Sequence, residues 1–193
     1  MSTLEVNSIQ PLSSGSTITL GASGKTLSIP SGCTISNSGT ASGFGGITMV
    51  NPWKLTSSIA TSSAPYTVAT NWSSRESLIG GVMTEASGVF SFPTTGIYCI
   101  TSSFTFLSNA SGQDFNVAHH HTTDDSNYNI VAVSRVREGT ASKNNTATTQ
   151  SFFDVTDTSL CKIKFIIGGW AGTLTIEGDY NSSNVYFTRL GDT

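Results

Sequence analysis

The sequence predicts an all-β fold, an extended N-terminal arm followed by an antiparallel sandwich. Three observations carry this. Ser and Thr supply 31 and 28 of the 193 residues and Gly another 19; β-branched and aromatic side chains pack on a pleated surface while Ser and Gly populate turns. From about Ile47 onward, short apolar runs are punctuated by turn signals every 8 to 12 residues or so, the spacing of a sandwich or barrel. No window of about a dozen residues shows a helical period.

Residues 1–45 differ from the rest, with Phe44 their one aromatic. They contain a short repeat, Gly15-Ser-Thr-Ile18-Thr, Gly24-Lys-Thr-Leu27-Ser and Gly32-Cys-Thr-Ile35-Ser. Each unit offers a turn glycine and a short strand with one central apolar side chain, Ile18, Leu27 or Ile35. Such a strand is unstable alone in water and needs neighbours to stack against. The economical arrangement winds several copies of the chain side by side so that these three residues meet their equivalents; the alternative is a flexible Ser/Gly leader. Ser42-Gly-Phe-Gly-Gly46 reads as a hinge, placing the domains at 1–45 and 46–193.

Within the second domain, Gly88–Pro93 and Gly96–Phe106 are predicted to pair as a hairpin, turned by Pro93 and Gly96. Phe90 and Phe92 share one face, as do Tyr98, Ile100, Phe104 and Phe106, because side chains alternate with period two. Cys161–Ile167 alternates cleanly, with Lys162 and Lys164 toward water. Further strands are expected at 115–119, 129–136, 150–155, 173–177 and 185–190. Eight or more strands in one domain of this size fit a jelly roll.

Composition excludes several functions. With 9 Lys plus Arg and a net charge of −3, the chain has little from which to build a phosphate-tracking surface, so no nucleic-acid partner is expected. No run of about 18 apolar residues is present to span a membrane, and no basic start with an apolar run marks a secretory leader. Cys33, Cys99 and Cys161 are scattered, three in number and without a CxxC pair, which reads as reduced thiols made in a cytosol.

The stretch Gly88-Val-Phe90-Ser-Phe92-Pro93-Thr-Thr-Gly96-Ile-Tyr98 resembles the G-x-F-x-x-P-x-x-G-x-Y signature of the complement-type globular head, one of the tumour-necrosis-factor-like jelly rolls, and Asn184–Gly191 is similar to that family's last strand. The resemblance covers residues 50–191. The opening Met1–Ile9, the Ser/Gly/Thr repeats and Trp53-Lys-Leu-Thr56 resemble fibre-type virion proteins of tailed bacteriophages. Together these imply a homotrimer without cofactor, localised to the virion: a tail-fibre or knob protein whose arm meets other virion proteins and whose tip meets a host-surface glycan or protein. A capsid or tail decoration protein that binds only the particle is the alternative. The collagen-like stalk of animal members is absent, since no Gly-X-Y period occurs, and this sets the complement role apart.

Candidate chemistry is sparse. In an extended strand His119 and His121 share a face; if that face met a threefold axis, three copies would supply six imidazoles for a transition metal. Strand-end or interface histidines are the plainer reading. Asp124-Asp125 is a poor match to any calcium loop and reads as a solvated turn. A glycan hydrolase needs two carboxylates held apart across a groove, and none of Asp114, Asp124, Asp125, Glu138, Asp154, Asp157, Glu177 and Asp179 is marked as half of a pair. GxSxG, HExxH, phosphate-loop and dinucleotide glycine motifs are absent, so no enzyme is expected. Trp53, Trp72 and Trp170 are either sugar-stacking platforms or core and interface aromatics. Four N-x-S/T triplets, at Asn71, Asn109, Asn144 and Asn181, follow from an Asn/Ser/Thr-rich surface.

Overall fold

The computed structural model describes residues 9, 18, 26–34, 36, 47–61, 67–75, 79–108, 111–137, 139, 143–169, 174–178 and 182–192. The chain divides into two compact units, Met1–Gly43 and Phe44–Thr193. In the first, residues 26–30 carry no strand, and a turn closes where the Cys33 N–H donates to the Pro30 carbonyl at 3.2 Å. Ile18 and Leu27 are exposed, and Ile35 lies outside the described residues.

Among the described residues the second unit has thirteen strands: β1 (Met49–Leu55), β2 (Ile59–Thr61), β3 (Thr67–Val68), β4 (Trp72–Ser74), β5 (Thr84–Ala86), β6 (Val89–Ser91), β7 (Gly96–Ser108), β8 (Asp114–Thr122), β9 (Asn129–Arg137), β10 (Asn144–Val155), β11 (Lys162–Gly169), β12 (Leu174–Ile176) and β13 (Asn184–Gly191). All pairings are antiparallel, and the described residues include no helix. In the first sheet β7 has β10 along one side, while β13 and then β12 occupy the other; β1 and β4 continue beyond β13, and β2 beyond β12. The second sheet runs β5-β6-β11-β8-β9, with β3 beside the C-terminal half of β11. This is a jelly-roll sandwich.

The predicted hairpin of β6 and β7 does not form. β6 pairs with β5 and β11 in the second sheet, β7 belongs to the first, and residues 92–95 cross the sandwich between them. Phe92 and Tyr98 therefore meet from opposite ends of a crossing, ring centroids 4.7 Å apart, instead of lying on one wall. The hairpin that does form is β5–β6. Its two-residue turn places Ser87 at φ 53° and Gly88 at φ 84°, the pair of positive φ values that matches the twist of adjoining strands.

Alternation buries one face of each sheet against the other. Phe90 sits at the centre, fully buried, with Trp53, Trp72, Phe165 and Phe187 at 5.1–5.6 Å between centroids, mostly edge-on or tilted as ring quadrupoles prefer. Polar ends within this core are paired. Asn51 is fully buried, and its Oδ1 accepts from Trp53 Nε1–H and from the Met83 amide, both at 2.8 Å. Trp72 Nε1–H donates to the Ala69 carbonyl at 2.8 Å, and the Tyr98 hydroxyl donates to that of Thr94 at 2.9 Å.

Candidate functional surfaces

His119 and His121 were the residues with the sharpest sequence-level chemistry. Strand β8 does place them on one face with Phe115 and Val117, but that face meets the interior of its own sandwich, not a threefold axis. The physical reason is the alternation itself: Phe115 and Val117 must be covered, and β7 and β10 of the same chain cover them. His119 shares hydrogen bonds with Ser102 of β7 through Nε2 and with Ser151 of β10 through Nδ1, each 2.7 Å long. Ser151 continues to His121 Nε2 at 3.2 Å, and the His121 ring stacks on Phe153 at 4.2 Å. A polar chain of two imidazoles and two hydroxyls thus ties the sheets together across an apolar core. Ser102–His119 has the distance of a nucleophile and its base, yet both are fully buried and no substrate could reach them. Burial first, and the neighbouring histidines second, pull His119 down to about 3 and His121 to about 4, so both imidazoles are neutral at neutral pH. Among the described residues the buried hydroxyl of Thr149, opposite Ser102 on β10, has no partner.

The remaining candidates resolve into local structure. Asp124 accepts from the Asn127 amide, the Asn127 side chain, the Thr122 hydroxyl and the Ser126 amide. These bonds hold its carboxyl below the usual carboxylate range and close the turn between β8 and β9, with Asp125 in the left-handed region at φ 56°. Asp157 is engaged by Ser159 of its own turn, and Asp114 faces Arg137 at 3.8 Å. Glu138 and Asp179 lie outside the described residues, among which no three His, Cys, Asp or Glu groups are placed to hold a metal. Trp53 and Trp72 are core residues, not platforms, and Trp170 lies outside the described residues. Asn71 sits in a left-handed turn and Asn144 begins β10, whereas Asn109 and Asn181 are not described.

What the sequence reading did not single out is the outward face of the first sheet. Pairing registers set out three rows across β1, β13, β7 and β10: Val50–Thr188–Cys99–Phe152, Pro52–Tyr186–Thr101–Gln150 and Lys54–Asn184–Ser103–Thr148. Lys54 is the single charged residue in these rows. Phe152 is 61% exposed and Ile97, two residues before Cys99, is 39% exposed, with the exposed carboxylate of Asp154 opposite it on β10 as the second charge on this face. A charge-poor face of hydroxyls, amides and protruding apolar side chains has the composition of a protein interface core, from which charged residues are depleted. The signal was available in the alternation of Gln150–Val155, whose outward partners include a phenylalanine.

No protein-family model and no curated protein matches this sequence. Among solved structures the chain is similar to the Eiger TNF of S. frugiperda, at 13% identity and a TM-score of 0.59 over 77% of this chain and 95% of that one. It is also similar to murine APRIL, at 13% identity and a TM-score of 0.57 over 74% and 98% of the two chains. At these identities the likeness is one of fold. It agrees with the two antiparallel sheets: the fold of the described sandwich is a jelly roll like that of these tumour-necrosis-factor proteins.

Proposed function

We propose that this chain is a non-enzymatic structural protein of a bacteriophage virion, a homotrimer whose N-terminal arm docks on the particle and whose jelly-roll knob adheres to the host surface. The observation that carries the reading is the charge-poor outward face of the first sheet. A face holding exposed Phe152 and Ile97 and half-buried Tyr186 beside Thr, Ser and Gln is satisfied by copies of the same chain arranged about an axis. The arm supports a parallel assembly, because the exposed side chains of Ile18 and Leu27 would gain cover from their equivalents in neighbouring copies. The virion setting rests on the resemblance of the arm and of Trp53–Thr56 to fibre-type phage proteins. The burial of Ser102 and His119, which lie at the distance of a nucleophile and its base, favours adhesion over catalysis.

Light scattering on a sizing column tests the assembly. The full chain is expected at three times its 20.2 kDa mass, and Phe152→Asp is expected to run as a monomer. A monomeric wild-type chain refutes the trimer. Labelled trimer offered to bacterial cells and to purified virions then separates adhesion from decoration: binding to particles alone converts the reading to a decoration protein.

A further inference from the structure

The outward face of the second sheet has the opposite character. Arg135 and Arg137 on β9 and Lys162 and Lys164 on β11 all project from it, four of the nine Lys and Arg residues in a chain whose net charge is −3. Asp114, at its margin, is already engaged by Arg137. In the middle of this face is a hollow of about 160 Å³ lined by Asn116, Ala118, His120, Ile130, Val133, Arg135 and Ile166.

A β-bulge makes the hollow. His119 pairs with Ala132 but His120 pairs with Ile130, so Val131 is an extra residue in β9. Bulges bend a strand and re-aim its side chains. Here the extra residue brings Ile130 and Val133, three apart in sequence, onto the same outward face, where strict alternation would oppose them. Ala118 is the partner of Val133 on β8, two residues before His120, the partner of Ile130, and its methyl leaves the floor open. The result is an apolar floor with a polar rim. Among the described residues the side chains of Asn116, His120 and Arg135 have no hydrogen bond or ion pair. Partial burial, and then the Lys164 ammonium across the pair, hold His120 below its usual range, leaving a neutral imidazole able to donate and accept.

We propose that this hollow binds one acidic sugar unit, a pyranose ring bearing a carboxylate, with the carboxylate on Arg135, ring hydroxyls on Asn116 and His120, and the C–H face of the ring on Ile130, Val133 and Ile166. A guanidinium fork matches a carboxylate in two parallel hydrogen bonds. Inorganic phosphate would use the cation but has no apolar face to set on the floor, and a neutral sugar would leave the guanidinium without a counter-charge. The site gives a ligand class to the adhesive reading above and rests on it for the source of the glycan alone.

Saturation-transfer NMR with sodium galacturonate, and binding of the full chain to immobilised polygalacturonate, test it against galactose and inorganic phosphate. The wild-type chain is expected to receive saturation transfer to galacturonate and to bind the polymer. Arg135→Gln is expected to weaken binding at least tenfold. Ala118→Leu, which leaves the charge unchanged and fills the floor, should do the same, and Lys143→Gln, an exposed residue before β10 that belongs to neither the hollow nor the three rows of the first sheet, should stay within twofold. The native mass of each variant, measured alongside, separates a failed assembly from a failed site. Equal binding by the Ala118→Leu chain, equal response to galactose, displacement of galacturonate by an equal concentration of phosphate, or no transfer at all overturns the proposal, whatever the oligomeric state.

Discussion

The buried histidine chain makes the fold acid-labile well above the range in which carboxylates titrate. An imidazole free in the unfolded chain titrates near 6.5, whereas His119 and His121 in the fold titrate at about 3 and about 4. Each therefore takes up a proton on unfolding as soon as the pH drops through 6.5, and stability is lost progressively down to the folded values. Between pH 7 and about pH 4.5 the two together remove about 5 kcal/mol, at 1.36 kcal/mol for each pH unit of difference. That is comparable with the whole stability of a small domain. Urea unfolding at several pH values between 7 and 4.5 gives the slope directly, and about 2.5 kcal/mol per pH unit is expected near pH 5. The double variant His119→Gln/His121→Gln, although less stable at pH 7, should lose most of that slope over the same window, keeping only the contribution of His120, whose folded pKa is also lowered. A steep slope retained in that variant would refute the reasoning, because the protons would then be entering elsewhere.

Three further outcomes test the core and its crossing. Thr149→Val replaces a buried hydroxyl without a partner by a methyl of the same shape and should stabilise by about 1 kcal/mol, read as a rise of roughly 2–4 °C in Tm. Gly96→Ala should cost at least ~2 kcal/mol in chemical denaturation, since residue 96 has φ 140° and a Cβ there would meet Arg189 Nε and the Gly191 carbonyl at 2.5 Å. Phe90→Ala removes the ring that joins two tryptophans and two phenylalanines and should cost about 3–5 kcal/mol by the same measurement.

How much of this was legible in the sequence depended on whether polar and apolar residues alternated. Cys161–Ile167 alternates without a break, and β11 lies there. Gln150–Val155 alternates as well, but the same strand begins at Asn144, where Asn-Asn-Thr-Ala-Thr-Thr carries no contrast between its two faces and only pairing with β7 reveals it. The motif around Phe90 and Tyr98 located the core correctly and its connectivity wrongly, because a four-residue Pro/Gly link serves a hairpin and a crossing equally well. His119 and His121 shared a face as alternation requires; which side of the sheet was inside could not be read from β8 alone, since a histidine is at home in either setting. The bulge at Val131 left only an unbroken apolar run, Ile130-Val-Ala-Val133, and such a run does not state its register.

The two outward faces divide the proposed labour, and their independence can be tested in one variant. If the first-sheet face is buried between copies, the second-sheet faces, and the hollow at Ala118, remain on the outside of the assembly three times over. One carboxylate fork and a small apolar floor make a weak site, and a polymer that engages three such sites gains avidity without any new contact, by a factor of 10²–10⁴ or so. Phe152→Asp places a charge on the first-sheet face and touches nothing in the hollow. It should leave the galacturonate response of each chain intact while weakening attachment to polygalacturonate about a hundredfold or more, in step with the fall in native mass. Loss of the single-sugar response in that monomer would mean that the hollow is completed by a neighbouring copy. Undiminished attachment to the polymer would mean that adhesion does not depend on threefold assembly, and the knob would then act as a single binding module.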